Sequence, residues 1–183
     1  MHKLMHKAPT DKKKDRQRWA TPSYVVNGIA HLTGRGFDVD LCAEAWSAKH
    51  EVWMGPGSDI AENAFEVSWG GFWSSPWCNP PYNNIDPWAE GLVENAETFP
   101  DFMARFLVPA RTDRPWWHLL LRHGWVTFIE GRIEFDPPPG VAAPGAMGGV
   151  VLWQIGGREP LMRESISVLA LQNAARAAGR SAA

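Results

Sequence analysis

The chain has 183 residues, with 45% hydrophobic and 21% charged positions, which suggests one globular domain. A formal net charge of -2 and a pI near 6.3 exclude a general cationic coat for nucleic acid, so any such contact must be local. The two cysteines, Cys42 and Cys78, lie far apart with no CxxC and no His pair at ligand spacing; this argues against a zinc site or disulfide scaffold and fits a reducing cytoplasm.

Residues 1–18 carry seven Lys or Arg against two Asp, a charge of +5, so the remainder carries -7. This segment reads as a flexible basic arm, either simply solvated or steering phosphate toward the domain through Lys12, Lys13 and Lys14. It lacks the apolar stretch of a secretory signal, and no run of about 18 apolar residues follows. The expectation is a cytoplasmic protein with no membrane span. Residues 19–157 are expected to form the main domain and residues 158–183 a helical tail that frays at its Ala/Arg-rich end.

Trp19-Ala20-Thr21-Pro22-Ser23-Tyr24 opens the domain. Thr21 or Ser23 is a candidate cap, with Pro22 near the first turn of a helix over Tyr24–Leu32 that Gly34 and Gly36 stop. Gly36–Ala43 reads as a strand with Asp38 and Asp40 at its far end. A carboxylate at the carboxyl end of a strand commonly holds ribose hydroxyls or an amino group; capping of the Ala43–Lys49 segment is the other reading. No glycine-rich turn follows. His50–Met54 is a second short strand. The Gly55–Asp59 loop comes next, with Asp59 and Asn63 either within reach of the same edge or engaged only in turn chemistry.

Gly71–Trp77 reads as a short buried strand. It delivers Cys78-Asn79-Pro80-Pro81-Tyr82 to the point where a helix over Asp86–Phe99 begins, and ligands in open α/β sheets bind outside strand carboxyl ends. Asn79 offers an amide oxygen and an NH2. Pro80 and Pro81 stiffen the loop, remove two backbone donors and leave bare carbonyls. Two acceptors and the flat ring of Tyr82 suit an exocyclic amine on a planar base; ordinary turn chemistry, with Tyr82 merely packing, is the bland alternative.

Phe102–Pro109 reads as a buried strand ending in a polar loop with Arg111, Asp113, Arg114, Trp116, Trp117 and His118. Arginine beside aromatic rings suits phosphate and base contact; an Arg–Asp pairing with a Trp-led helix over His118–Arg122 is the alternative, and a histidine at a helix start is usually polar surface. Val126–Ile129 is expected to turn through Glu130-Gly131-Arg132 into a strand at Ile133–Phe135. A Pro/Gly-rich loop follows from Asp136 to Gly149, and Val150–Ile155 closes the sheet as a hairpin partner of one of those two strands. A helix is expected from Arg163 to Ala178. Most of the eleven tryptophans must fill the core, although a base-stacking surface is the sharper use.

Five blocks now stand in one order: Trp19–Pro22, Phe37–Ala43, Asn79–Tyr82, Val108–Asp113 with Trp117-His118, and Phe128–Phe135. Together they resemble the phage-encoded DNA N6-adenine methyltransferase (Dam) family, S-adenosylmethionine-dependent enzymes with an Asn-Pro-Pro-Tyr motif. The resemblance implies a Rossmann-like class I methyltransferase fold, a mostly parallel sheet with an antiparallel C-terminal hairpin. It implies that Asn79, Pro80, Pro81 and Tyr82 hold a flipped adenine. It also implies that the Thr21-Pro22 and Asp40-Cys42-Ala43 blocks line an S-adenosylmethionine site, to which Trp19 and the strand and loop acids Asp38 and Asp59 are added as candidates. The candidate contacts to double-stranded DNA are Lys12, Lys13, Lys14, Arg111, Asp113, Trp117, His118 and Arg132. No metal is implied. Two departures stand out: Leu41 replaces the family's usual proline, and the glycine-rich cofactor loop of larger methyltransferases is absent. No separate target-recognition domain fits this length, so specificity must come from loops. Protection of phage DNA from host restriction is the family-level role, in the cytoplasm of a host cell.

Other readings fit the same residues. The same cradle suits RNA adenine, cytosine N4 or a protein glutamine, and the missing glycine loop suits a methyltransferase-like module that only binds DNA.

Overall fold

The computed structural model describes residues 18–142 and 148–181. Lys12, Lys13, Lys14 and the rest of the basic arm before Arg18 lie outside the described residues. Six strands form one sheet: β1 (Val39–Asp40), β2 (Pro76–Cys78), β3 (Met103–Pro109), β4 (Gly124–Glu130), β5 (Val150–Gly156) and β6 (Ser165–Ser167), in the order β1-β2-β3-β5-β4-β6. β1, β2 and β3 are mutually parallel; β5 runs antiparallel to both β3 and β4, and β6 is parallel to β4. Five strands therefore share one direction and β5 alone opposes them. This is the expected Rossmann-like α/β sheet.

Among the described residues four α-helices cover it: α1 (Ser23–Thr33), α2 (Asp86–Thr98), α3 (Pro115–His123) and α4 (Val168–Ser181). Side chains on β3 and β5 alternate between two cores, as a sheet buried on both faces requires. Ala104, Phe106, Val108, Val151, Trp153 and Ile155 meet α2 and α3 on one face, while Leu107, Val150 and Leu152 meet α1 and Leu171 of α4 on the other. In α2, Pro87 sits in the first turn and Asp86 supplies an acidic residue there, both favourable at a helix N-terminus. Trp88, Ala89, Leu92 and Val93 form its buried stripe, and Trp88 stacks on Trp69 with centroids 5.9 Å apart. Seven of the eleven tryptophans are buried, so the aromatic excess mostly builds the core.

Several expected elements are corrected. The strand expected over Gly36–Ala43 contracts to Val39–Asp40, and of His50–Met54 only Trp53 bridges to Asp40. The buried strand expected over Gly71–Trp77 is confined to Pro76–Cys78. Ile133–Phe135 is not a strand; Ile133 and Phe135 are buried as apolar anchors, and the adjoining Asp136 pairs antiparallel with Ala20. β5 pairs with β4 as expected and also inserts between β4 and β3. The C-terminal segment begins with the strand β6 before its helix. That helix packs on α1 so closely that a Cβ at Gly28 would lie 2.5 Å from the Leu171 carbonyl oxygen. Glycine in the middle of α1 costs helix propensity, and this close approach explains its place there.

Candidate cofactor and substrate site

Because β1 and β2 are parallel, with Asp40 opposite Trp77, the chain leaves both strands at the same sheet edge. Asp40 ends β1, and Asn79 follows the last residue of β2. Between them opens a cavity of about 520 Å³ whose wall includes Trp19, Thr21, Asp40, Glu44, Lys49, Asn79 and Pro81. That volume lies within the ~300–1,000 Å³ of small-molecule sites.

Asp40 is only 3% exposed. Its Oδ1 accepts the Cys42 backbone N–H at 3.2 Å and its Oδ2 accepts the Lys49 backbone N–H at 3.0 Å. Burial pushes its carboxyl up to about 6, opposed by those two bonds and by the charges of Lys49 and His50. One side chain thus gathers the 42–49 loop, work that a glycine-rich turn would otherwise do with backbone alone. The segment from 43 to 49 is not a helix, so Asp40 closes a loop rather than capping a helix, and it is part of the cavity wall.

Residues 18–21 cross the cavity as a strap. Arg18 grips Glu44 through two bonds, Nε to Oε1 at 2.6 Å and Nη2 to Oε2 at 2.7 Å. The bond from Arg18 holds the Glu44 carboxyl below its ordinary value. Ala20 and Asp136 exchange backbone bonds, each 2.9 Å. The Trp19 carbonyl accepts the Asn79 side-chain NH2 at 3.4 Å. With its NH2 so engaged, Asn79 Oδ1 is buried without a partner, as are Thr21 Oγ1 and Trp19 Nε1. A buried polar group left unpaired costs about 1–3 kcal/mol. Three such atoms around one cavity are what a polar ligand would satisfy.

Tyr82 is half-buried and meets Phe135 edge-on, with centroids 6.3 Å apart and planes at 90°. Its hydroxyl is enclosed without a partner, and burial pushes the phenol far above its ordinary value. In this state the ring belongs to the wall behind the loop. Pro80 is buried beside it. The Cys42 thiol is pushed up to about 12 by burial and by the charges of Asp40 and Glu44, so it is no nucleophile.

Pro22 is the N-cap of α1 and makes no side-chain capping bond, so neither Thr21 nor Ser23 caps the helix. Thr21 is instead 2% exposed, part of the cavity wall, and its hydroxyl is buried without a partner. Ala43 is buried, and its N–H donates to the Met54 carbonyl at 2.9 Å.

Three cofactor candidates are not part of the cavity wall: Pro22, buried as the N-cap of α1, and the acids Asp38 and Asp59. Asp38 precedes β1 rather than ending it, and its Oδ2 accepts the backbone N–H groups of Ser74 and Ser75 at 2.7 and 2.9 Å. It ties β1 to β2 at the opposite sheet edge. Asp59 is exposed and off the cavity wall. Among the DNA candidates, Trp117 is a correction: it is 4% exposed and packs edge-on against Trp153 at 5.0 Å. An apolar residue in the first turn of a helix on a sheet face points inward. Arg111, Asp113, His118 and Arg132 are exposed, and Asp113 pairs loosely with Arg114 at 3.8 Å. Sequence reasoning missed Glu44 and Lys49, because nothing in their spacing signals a site. Asp40 folds their loop onto the cavity.

A family model for DNA N-6-adenine-methyltransferase (Dam) matches residues 8–151. The chain belongs to the Dam family. A DNA N-6-adenine-methyltransferase of Haemophilus phage HP1 (strain HP1c1) is 33% identical over 84 residues, 46% of this chain and 44% of that protein, so the match spans less than half of the relative. The family match covers the strap, the Asp40 loop, the Asn79 loop and β3 through the start of β5 in one stretch. Membership in the Dam family implies S-adenosylmethionine as methyl donor. The cavity fits such a group, with a volume of the right order, unpaired polar atoms on Trp19, Thr21 and Asn79, and charged groups of both signs. Among the described residues no cluster of three His, Cys, Asp or Glu is placed to hold a metal ion, and no helix is long and apolar enough to cross a membrane.

Proposed function

We propose that this chain transfers a methyl group from S-adenosylmethionine to the N6 amine of an adenine flipped out of double-stranded DNA. The observation that carries the reading is Asn79 Oδ1, a buried acceptor without a partner at the end of β2, whose amide is turned by the Trp19 carbonyl.

The adenine amine is a poor nucleophile because its lone pair is delocalised into the ring. Asn79 Oδ1 accepts one N–H, and the Pro80 carbonyl is assigned the other. Two neutral acceptors favour a pyramidal nitrogen and stabilise the positive charge that grows on it. Bound S-adenosylmethionine supplies an electrophilic methyl on its sulfonium. Trp19, Thr21 and the Asp40 loop hold the donor's side of the cavity, and in-line placement of the amine supplies much of the rate. No strong base is needed before attack, because the N6 proton leaves to solvent afterwards; a phenol and a thiol held protonated by burial at Tyr82 and Cys42 agree with this. The base must leave the duplex to reach the loop, with Tyr82 stacking on it after a shift or walling the pocket. Exposed Arg111 and Arg132 are assigned to phosphate contact. The chain is read as working in the cytoplasm of a host cell, with Asp40 replacing the missing glycine-rich loop.

The test is mass spectrometry of nucleosides from plasmid co-expressed with the chain in a methylation-deficient host, beside an Asn79→Ala control. N6-methyladenine that disappears in the control supports the proposal. N4-methylcytosine would move the same chemistry to another amine. Neither product, with no S-adenosylmethionine binding by calorimetry, would mean a DNA-binding module without catalysis.

A further inference from the structure

We infer that the Lys49 side chain takes the α-carboxylate at the amino-acid end of S-adenosylmethionine. This rests on the reading of the cavity as the cofactor site. Two cations line that cavity, Arg18 and Lys49. Arg18 is committed to Glu44 by its two-pronged pair. Lys49 makes no ion pair among the described residues.

Neither acid of the cavity pairs with it directly. Glu44 is held by Arg18, and both oxygens of Asp40 accept backbone N–H groups. Lys49 is partly desolvated, and its ammonium is held below its ordinary value by burial, against the charges of Asp136 and Asp40. A partly buried ammonium with no carboxylate within ion-pair distance, and with Asp136 and Asp40 acting on it only from farther away, is incompletely compensated, and an incoming carboxylate relieves that cost while forming a charge-assisted hydrogen bond.

The position of Lys49 is also set in advance. Its own backbone N–H is the donor to Asp40 Oδ2, so the carboxylate that organises the loop also fixes where the ammonium starts. Substitution of the side chain leaves that backbone bond in place, which makes Lys49 testable without unfolding the loop.

The probes are S-adenosylmethionine, its decarboxylated analogue, and 5′-methylthioadenosine, which lacks the amino-acid end. Each is titrated by calorimetry into the full chain and into Lys49→Met and Lys49→Arg, with thermal melts as a folding control. The expected result is a loss of about 10- to 100-fold in affinity for S-adenosylmethionine in Lys49→Met, the range for a hydrogen bond to a charged group. Affinity for the other two probes stays within about 2-fold, and Lys49→Arg recovers part of the loss. Equal losses for all three probes, or no loss for S-adenosylmethionine, would overturn the assignment while leaving the methyltransferase reading intact. Failure of the unsubstituted chain to bind S-adenosylmethionine would instead remove the reading on which the assignment stands. Duplex DNA binding without cofactor, followed by fluorescence anisotropy, is expected to be unchanged in Lys49→Met; a selective loss there would make Lys49 a phosphate contact and overturn the proposal.

Discussion

The Asn79 side-chain NH2 donates to the Trp19 carbonyl at 3.4 Å, across 60 positions of sequence. That bond engages the NH2 end of the amide. It leaves Oδ1 as the buried acceptor and makes the strap at residues 18–21 part of the site rather than a leader to it.

Asn79→Ala removes the acceptor and leaves the strand and the two prolines. It is expected to lower methylation by at least ~10²-fold, the scale of losing one transition-state hydrogen-bond partner, with a melting temperature within a few degrees of the parent. Asn79→Asp keeps an oxygen toward the amine but loses the NH2 that Trp19 holds, and is expected to fall between the two. Single-turnover rates with a methylation-free duplex, read beside thermal melts, check both.

Thr21→Val separates stability from function. The Thr21 hydroxyl is buried without a partner, so replacing it by a methyl of similar shape is expected to leave stability unchanged or raise it by up to ~1 kcal/mol. Affinity for S-adenosylmethionine is expected to fall about 10-fold. A variant that melts lower and binds the cofactor normally would show a structural hydroxyl.

Asp40 gives a pH dependence with a defined sign. Its carboxyl is raised from its ordinary 3.8 to about 6, so the folded state holds this proton more tightly than the unfolded state. The stabilising contribution is therefore fully present below about pH 3.8 and is lost as pH rises through about 6, a loss of roughly 3 kcal/mol by neutral pH. Asp40→Asn cannot ionise. The stability of the parent relative to this variant is expected to decline between pH 4 and 6 and to level off above 7. Urea melts across that range measure it, and the opposite trend of Glu44, whose carboxyl is lowered, is common to both proteins and cancels.

Trp117 and Arg111 sit six positions apart and are expected to fail differently. Trp117→Ala removes a buried ring packed on Trp153 and should cost ~3–5 kcal/mol of stability. Arg111→Ala removes an exposed cation. Its melt should not move, while affinity for duplex DNA falls and the salt dependence of binding becomes shallower by about one ion. Paired melts and salt-dependent anisotropy titrations test the contrast.

The Asn79–Tyr82 loop was legible because two prolines after an asparagine make a stiff, acceptor-rich turn in any context, and because an apolar run before it marks a strand end. The helices Ser23–Thr33 and Asp86–Thr98 were legible from their apolar spacing and their prolines. Asp38 and Asp40 were not separable: two acids two positions apart look alike, and only the two-residue length of β1 puts Asp38 just before the strand and Asp40 at its end. Trp117 was misread because the composition of a polar loop does not show which way a helix turns its first ring.

Local chemistry in the sequence thus determined the type of site: an amide oxygen, two prolines and a ring at a strand end, a carboxylate at its neighbour, and an uneven spread of charge. Tertiary structure decided which residues share the cavity. Parallel pairing of β1 with β2 brings Asp40 and Asn79 to one edge, the Ala20–Asp136 pairing fixes the strap beside them, and the two oxygens of Asp40 hold the loop that carries Lys49. These contacts join residues up to 116 positions apart. Their energies depend on burial and alignment, which no local spacing encodes.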